Sequence, residues 1–208
     1  MREKVPFETA LGRTTMRHIL LVMLLAAGLT PRLWADEFVV DPVHSSLGFD
    51  VRYLVSTLEG RFNRFDGVVS YDPENPESLE VEFVVAADSI DTASQKRDTH
   101  LRSKDFFDVE TYPKITFRST SVTRFDERQL AVAGDLSLHG VTRPITALVT
   151  VSGPTPPDEK GQMTIGCRAT FSVLRSDFGV NTWKDAHGAV GDEVKIRLLV
   201  AAHAQSPK

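Results

Sequence analysis

Beyond residue 44 the sequence returns again and again to one pattern, apolar and polar side chains in alternation. Leu47, Phe49, Val51 and Tyr53 oppose Ser46, Asp50 and Arg52, and Leu79, Val81, Phe83 and Val85 oppose Glu80, Glu82 and Val84. Leu130, Val132, Leu136 and Leu138 repeat the pattern against Ala131, Ala133, Asp135 and Ser137. Met163, Ile165, Cys167, Ala169 and Phe171 do the same, and Val194, Ile196, Leu198 and Val200 end the series. Successive side chains of a strand point to opposite faces, so this period predicts antiparallel sheet buried on one side. Residues 60–71, 115–120 and 145–151 bring the expected number of strands to about eight.

Between strands stand proline and glycine turns: Asp72-Pro73-Glu74-Asn75-Pro76, His139-Gly140 and Gly153-Pro154-Thr155-Pro156-Pro157-Asp158. One helix is expected over residues 93–104, with Thr92 and Gln95 spaced as a capping box and Asp98 and Arg102 four apart on its surface. Tyr112-Pro113 then breaks the chain before a strand that Pro113 is free to precede, since a first residue need not donate to the ladder. No repeat, low-complexity tract or linker divides the sequence, which predicts one all-β domain with one short helix. A closed barrel and a sandwich both satisfy the alternation.

The first 35 residues read as a signal peptide. Residues 19–27 (ILLVMLLAA) form an apolar run much shorter than the roughly 20 residues of a membrane span. Arg13, Arg17 and His18 precede it, and Ala35 offers a cleavage site, with Met16 as an alternative start. Cleavage there leaves domain 36–208 with 19 Lys/Arg against 26 Asp/Glu, a net charge of −7. That balance argues against a nucleic-acid or anionic-membrane surface as a partner. Cys167 is the single cysteine, so an exported domain must hold together by burial and strand pairing rather than by an internal disulfide.

Residue chemistry points away from catalysis. His44, His100, His139, His187 and His203 have no zinc-site spacing, and no metal ligand set is assigned. His44 is expected to bond backbone groups near the start of a strand. No GxSxG elbow occurs, Ser45 beside His44 points to the opposite face of a strand, and Cys167 sits on an apolar face as a small hydrophobe. Arg97, Asp98, Arg102 and Asp105 read as a solvated helix face, and Trp183 stands on a loop.

Several segments in order carry a resemblance. They are Asp41-Pro42-Val43-His44-Ser45; Gly60-Arg61-Phe62 with Phe65-Asp66-Gly67; Arg97-Asp98-Thr99-His100-Leu101-Arg102-Ser103 running into Asp105-Phe106-Phe107-Asp108; and Tyr112-Pro113 with Phe117 and Ser119. Gly134-Asp135-Leu136 with His139-Gly140-Val141-Thr142, then Arg175-Ser176-Asp177-Phe178-Gly179 and Val190-Gly191-Asp192-Glu193-Val194, complete the set. Each is weak alone, but the ordered set covers nearly all of the mature chain and resembles the YceI-like, polyisoprenoid-binding family of exported bacterial proteins.

The resemblance implies an eight-stranded antiparallel, lipocalin-like β-barrel with a helix beside it. It also implies a periplasmic, non-enzymatic carrier, often a homodimer. The ligand would be an isoprenoid lipid or quinone in an apolar tunnel, with no cofactor and no stable membrane insertion after cleavage. The expected lining is Leu47, Phe49, Val51 and Phe62 from the first strands and Val81, Phe83 and Phe117 from the middle ones. Leu136, Leu138, Ile165, Phe171, Ile196 and Leu198 complete it, with Arg102 and Trp183 at the mouth. A solid, ligand-free stress barrel and an enzyme acting on a lipophilic substrate are the alternatives.

Overall fold

The computed structural model describes residues 36–180 and 189–205. Eleven strands follow in order: β1 Asp36–Val40, β2 Ser46–Tyr53, β3 Ser56–Phe62, β4 Phe65–Tyr71, β5 Glu80–Ala86, β6 Ile90–Asp91, β7 Lys114–Arg124, β8 Leu130–Leu138, β9 Val141–Ser152, β10 Thr164–Leu174 and β11 Val190–Ala204. One α-helix is described, α1 Gln95–Arg102. The sheet runs β4-β5-β7-β8-β9-β10-β11, and β1 pairs with both β4 and β11, which closes an eight-stranded antiparallel barrel. Eleven strands appear where about eight are expected: 60–71 is broken at Asn63-Arg64 into β3 and β4, and β1 and β6, which no expected strand covers, lie beyond the turn Pro42–His44 before β2 and the turn Ala87–Ser89 after β5. The break at Asn63-Arg64 and the turn Ala87–Ser89 lie side by side, stitched by Ser89, whose Oγ accepts from Arg64 N (3.1 Å) and donates to Ala86 O (2.7 Å).

The two ends differ. At one end the ring of strand pairs is complete, and Phe38, Ile165, Ala202 and Val132 are packed with almost no exposure. At the other, β6 pairs with β3 alone, and α1 with the loop after it occupies the space between β6 and β7. The β2–β3 hairpin, the β8–β9 hairpin and the segment after β10 all turn at this second end.

The helix departs from the sequence expectation. It starts at Gln95, not residue 93, and no capping box forms, because Thr92 is engaged elsewhere. Asp98 is buried, not solvated, and accepts from Thr92 N (2.9 Å) and Thr92 Oγ1 (2.5 Å). Arg102 does not pair with Asp98; it donates to the carbonyls of Asp88 (2.6 Å) and Ile90 (2.8 Å). An eight-residue helix with Leu101 as its single large apolar side chain is too short to persist alone. These polar pins therefore fix it against β6.

Candidate ligand-binding cavity

Inside the barrel lies a cavity of about 640 Å³. Every strand except β1, β4 and β6 gives it two or more apolar side chains, while β1 and β4 give Val40 and Val69 near its floor and β6 gives Ile90. Leu47, Phe49, Val51, Phe62, Val81, Phe83, Phe117, Leu136, Leu138, Phe171, Ile196 and Leu198 all border it. Ile165 does not. It is paired in register with Ala202 in the closed end and is fully buried beneath the floor, so its apolar face fills core instead of facing open volume.

A row of phenylalanines would ordinarily fill a barrel of this size. Here three of them lie flat against the wall, because an inward glycine on the neighbouring strand makes room. Phe49 is paired with Gly60 and Phe83 with Gly67, and the Phe117 ring covers Gly134. A Cβ added at Gly60 would fall 2.3 Å from Phe49 Cζ, one at Gly67 would fall 2.5 Å from the Phe83 ring, and one at Gly134 would fall 2.4 Å from the Phe117 ring. Phe83 is also stacked on Phe65, with ring centroids 5.5 Å apart. Close contacts of this kind place the rings sideways, and the lumen stays open.

Polar groups gather at the second end. Ser94, Lys96, Arg97 and His100 from α1 and its approach border the cavity, with Phe106 and Phe107 from the loop behind. Arg97 is pinned by bonds from Nε to Thr92 Oγ1 (2.7 Å) and from its terminal nitrogen to Thr92 O (2.6 Å). His100 Nε2 lies 3.0 Å from Asp105 Oδ2, and its ring meets Phe106 edge-on. Arg175, only 6 % exposed, donates to Gly191 O (2.9 Å) and Val180 O (2.8 Å), tying β11 to the segment that follows β10. No Asp or Glu borders the cavity among the described residues.

Arg102 is displaced from its expected place at the mouth. The carbonyls it serves draw its guanidinium away from the cavity, and Lys96 and Arg97 border the opening in its stead. Trp183 lies outside the described residues, as does His187. His44 bonds a carboxylate rather than backbone: Asp41 Oδ2 meets His44 Nδ1 at 2.6 Å and His203 Nε2 at 3.1 Å. With the Val43 amide, these hold the Asp41 carboxyl well below the usual carboxylate range. No group of three or more side chains suited to a metal ion occurs among the described residues.

Cys167 borders the cavity, and burial pushes its thiol up to about 11. A pKa raised on folding favours the native state below the unfolded value near 8.5, and that contribution is lost as pH rises toward 11. The native protein is thus expected to resist a charged thiol reagent at neutral pH and to become reactive, and less stable, in the alkaline range. An aromatic disulfide reagent, followed by absorbance with and without denaturant, checks this; fast native labelling at pH 7 would count against it.

Among known proteins, the YceI-like domain model matches residues 38–202. A UPF0312 protein of Vibrio cholerae serotype O1 is 38 % identical over 170 residues, covering 79 % of this chain and 89 % of that one. Among solved structures, BcnA of Burkholderia cenocepacia is similar with a TM-score of 0.71 and 27 % identity, over 78 % of this chain and 98 % of that one. A polyisoprenoid-binding domain from Saccharophagus degradans, implicated in plant cell wall breakdown, shares the fold: TM-score 0.64 at 16 % identity, over 81 % and 98 % of the two chains.

Proposed function

The chain belongs to the YceI-like family, and from that premise we propose that it is a carrier that holds one prenyl-chain lipid, of quinone or polyprenyl type, in the barrel. The observation that carries this reading is the open, carbon-lined lumen. Its volume falls within the ~300–1,000 Å³ of small-molecule sites, and its polar groups are confined to one end. A prenyl chain gains roughly 0.8 kcal/mol per methylene-sized group withdrawn from water, so a few isoprene units suffice for micromolar binding after association costs. An apolar lumen needs no directional bonds to such a chain, which leaves selection to length and to the groups at the mouth.

The alternatives fare less well. A lumen of this size is at odds with a solid barrel. Catalysis on a lipophilic substrate calls for a polar constellation deep in the cavity, whereas the ionisable groups bordering it deep down reduce to the protonated Cys167 thiol. Periplasmic location, with residues 1–35 as a leader outside the described residues, belongs to the same proposal and rests on the sequence alone.

Native mass spectrometry of protein purified from its producing cells, followed by organic extraction, tests the reading. An added mass that extracts as a prenylated lipid is the expected result. Protein that is ligand-free and stays so after incubation with quinones and polyprenols would overturn it.

A further inference from the structure

At the second end of the barrel the β2–β3 hairpin turns through Leu54 and Val55, between the paired residues Tyr53 and Ser56. A two-residue hairpin turn favours Asn-Gly or a leading glycine, because its first central residue takes a positive φ. Leu54 takes it here, with φ 53°, held by bonds from Leu54 N to Ala189 O (2.7 Å) and from Arg52 to Leu54 O (3.1 Å). A left-handed leucine is strained. The tip is also poorly placed for water: Leu54 is 55 % exposed and Val55 wholly so. Neither the turn nor the core gains from these two residues, yet next to them Tyr53 borders the cavity.

We propose that this tip is a membrane-docking finger, seating the cavity mouth on an anionic phospholipid surface. The inference rests on the carrier reading, since a prenyl chain dissolves in bilayer rather than water and has to be collected there. The domain as a whole is acidic, so attraction to such a surface rests on the cations at the mouth. Lys96 and Arg97 border the opening, and Lys96, exposed, makes no ion pair among the described residues. Of the carboxylates around it, Asp88 is engaged by Arg64, Asp91 by Arg61 and Asn63, Asp98 by Thr92 and Asp105 by His100, while Asp108 and Glu110 on the loop after α1 make no ion pair among the described residues. Two apolar side chains are far too little for a stable protein interface, which buries more than about 1,000 Å². They suit shallow insertion among headgroups, helped by nearby cations. The contact is peripheral and not a membrane span.

The test is sedimentation of cargo-free protein with vesicles of phosphatidylethanolamine and phosphatidylglycerol, and with vesicles of phosphatidylcholine alone. Leu54→Gly combined with Val55→Asn should lower the vesicle-bound fraction about tenfold or more, with a melting temperature equal to or above the parent's, since a leading glycine fits a turn whose first central residue alone takes a positive φ. Val55→Ser, at a wholly exposed position, should lower it several-fold without touching the turn. Lys96→Gln should weaken binding to the anionic vesicles only. Binding of a fluorescent prenyl probe without vesicles should be unchanged in the hairpin variants. Parent protein that binds the probe but not vesicles, or hairpin variants that bind vesicles like the parent, would overturn the inference alone. Vesicle binding with no probe binding would instead overturn the carrier reading. A hairpin variant that turns a dimer into a monomer, with vesicle binding unchanged, would make the tip an interface between two copies and also overturn it.

Discussion

A Leu198→Glu variant is expected to lose affinity for a prenyl-chain ligand by about a hundredfold or more, while its melting temperature falls by about 5 °C or less. Leu198 is half-buried, pairs in register with Ala169, and faces the lumen. A carboxylate there keeps its water when the cavity is empty and must surrender it to a hydrocarbon chain. A desolvation penalty of roughly 3 kcal/mol is two decades in the dissociation constant. Phe83, the more conspicuous residue in the sequence, is a poorer probe. It stacks on Phe65 and covers Gly67, so its removal also costs core packing, about 3–5 kcal/mol for a phenylalanine truncation. Titration with a fluorescent prenyl analogue, beside thermal melts, separates binding from folding. Undiminished affinity in Leu198→Glu would move the site out of the barrel.

The second large effect is on stability. Gly134→Ala should destabilise the fold by about 3 kcal/mol, read from urea denaturation, because the new methyl group meets backbone. Its Cβ would fall 2.4 Å from the carbonyl oxygen of Arg118, beside the register shift between Ser119 and Ser121. Ser119 Oγ also accepts from Val81 N (2.8 Å), which ties β7 to β5 at this level and resists any retreat. Gly60→Ala makes the informative contrast. Every atom its methyl group would strike belongs to the Phe49 ring, which can swing into the lumen. That variant should lose only about 1 kcal/mol but bind a long-chain ligand more weakly, since the ring then takes up its space. Equal stability losses for the two glycines would refute this account of how the cavity is kept open.

Much of this is legible in the sequence because alternation is a local signal. The inward faces of β2, β5, β8, β10 and β11 can be read directly from it. What alternation does not carry is depth along a strand. Ile165 and Cys167 share a face, yet one is sealed in the closed end and the other borders the cavity. One break escapes for a related reason: it falls between residues that keep the period, so 60–71 reads as one strand although it bends at Asn63-Arg64, while β1 and the two-residue β6 are too short to show a period of their own. The helix departs from expectation where side chains rather than backbone decide, since Thr92, Asp98 and Arg102 each prefer a tertiary partner to a helical one. Gly60, Gly67 and Gly134 did carry a signal, a missing side chain at positions that should point inward, and it is meaningful only once their partners across the sheet are known.

The incomplete pairing of β6 divides the molecule into parts that come apart separately. Around the closed end, releasing one strand breaks ladders on both of its sides, so amides there should open only with the whole domain. Across the gap beside β6, α1 is held by a few polar bonds and Leu101, so it forms a small unit of low local stability. On the carrier reading proposed above, ligand exchange should follow the opening of that unit and not the unfolding rate of the barrel.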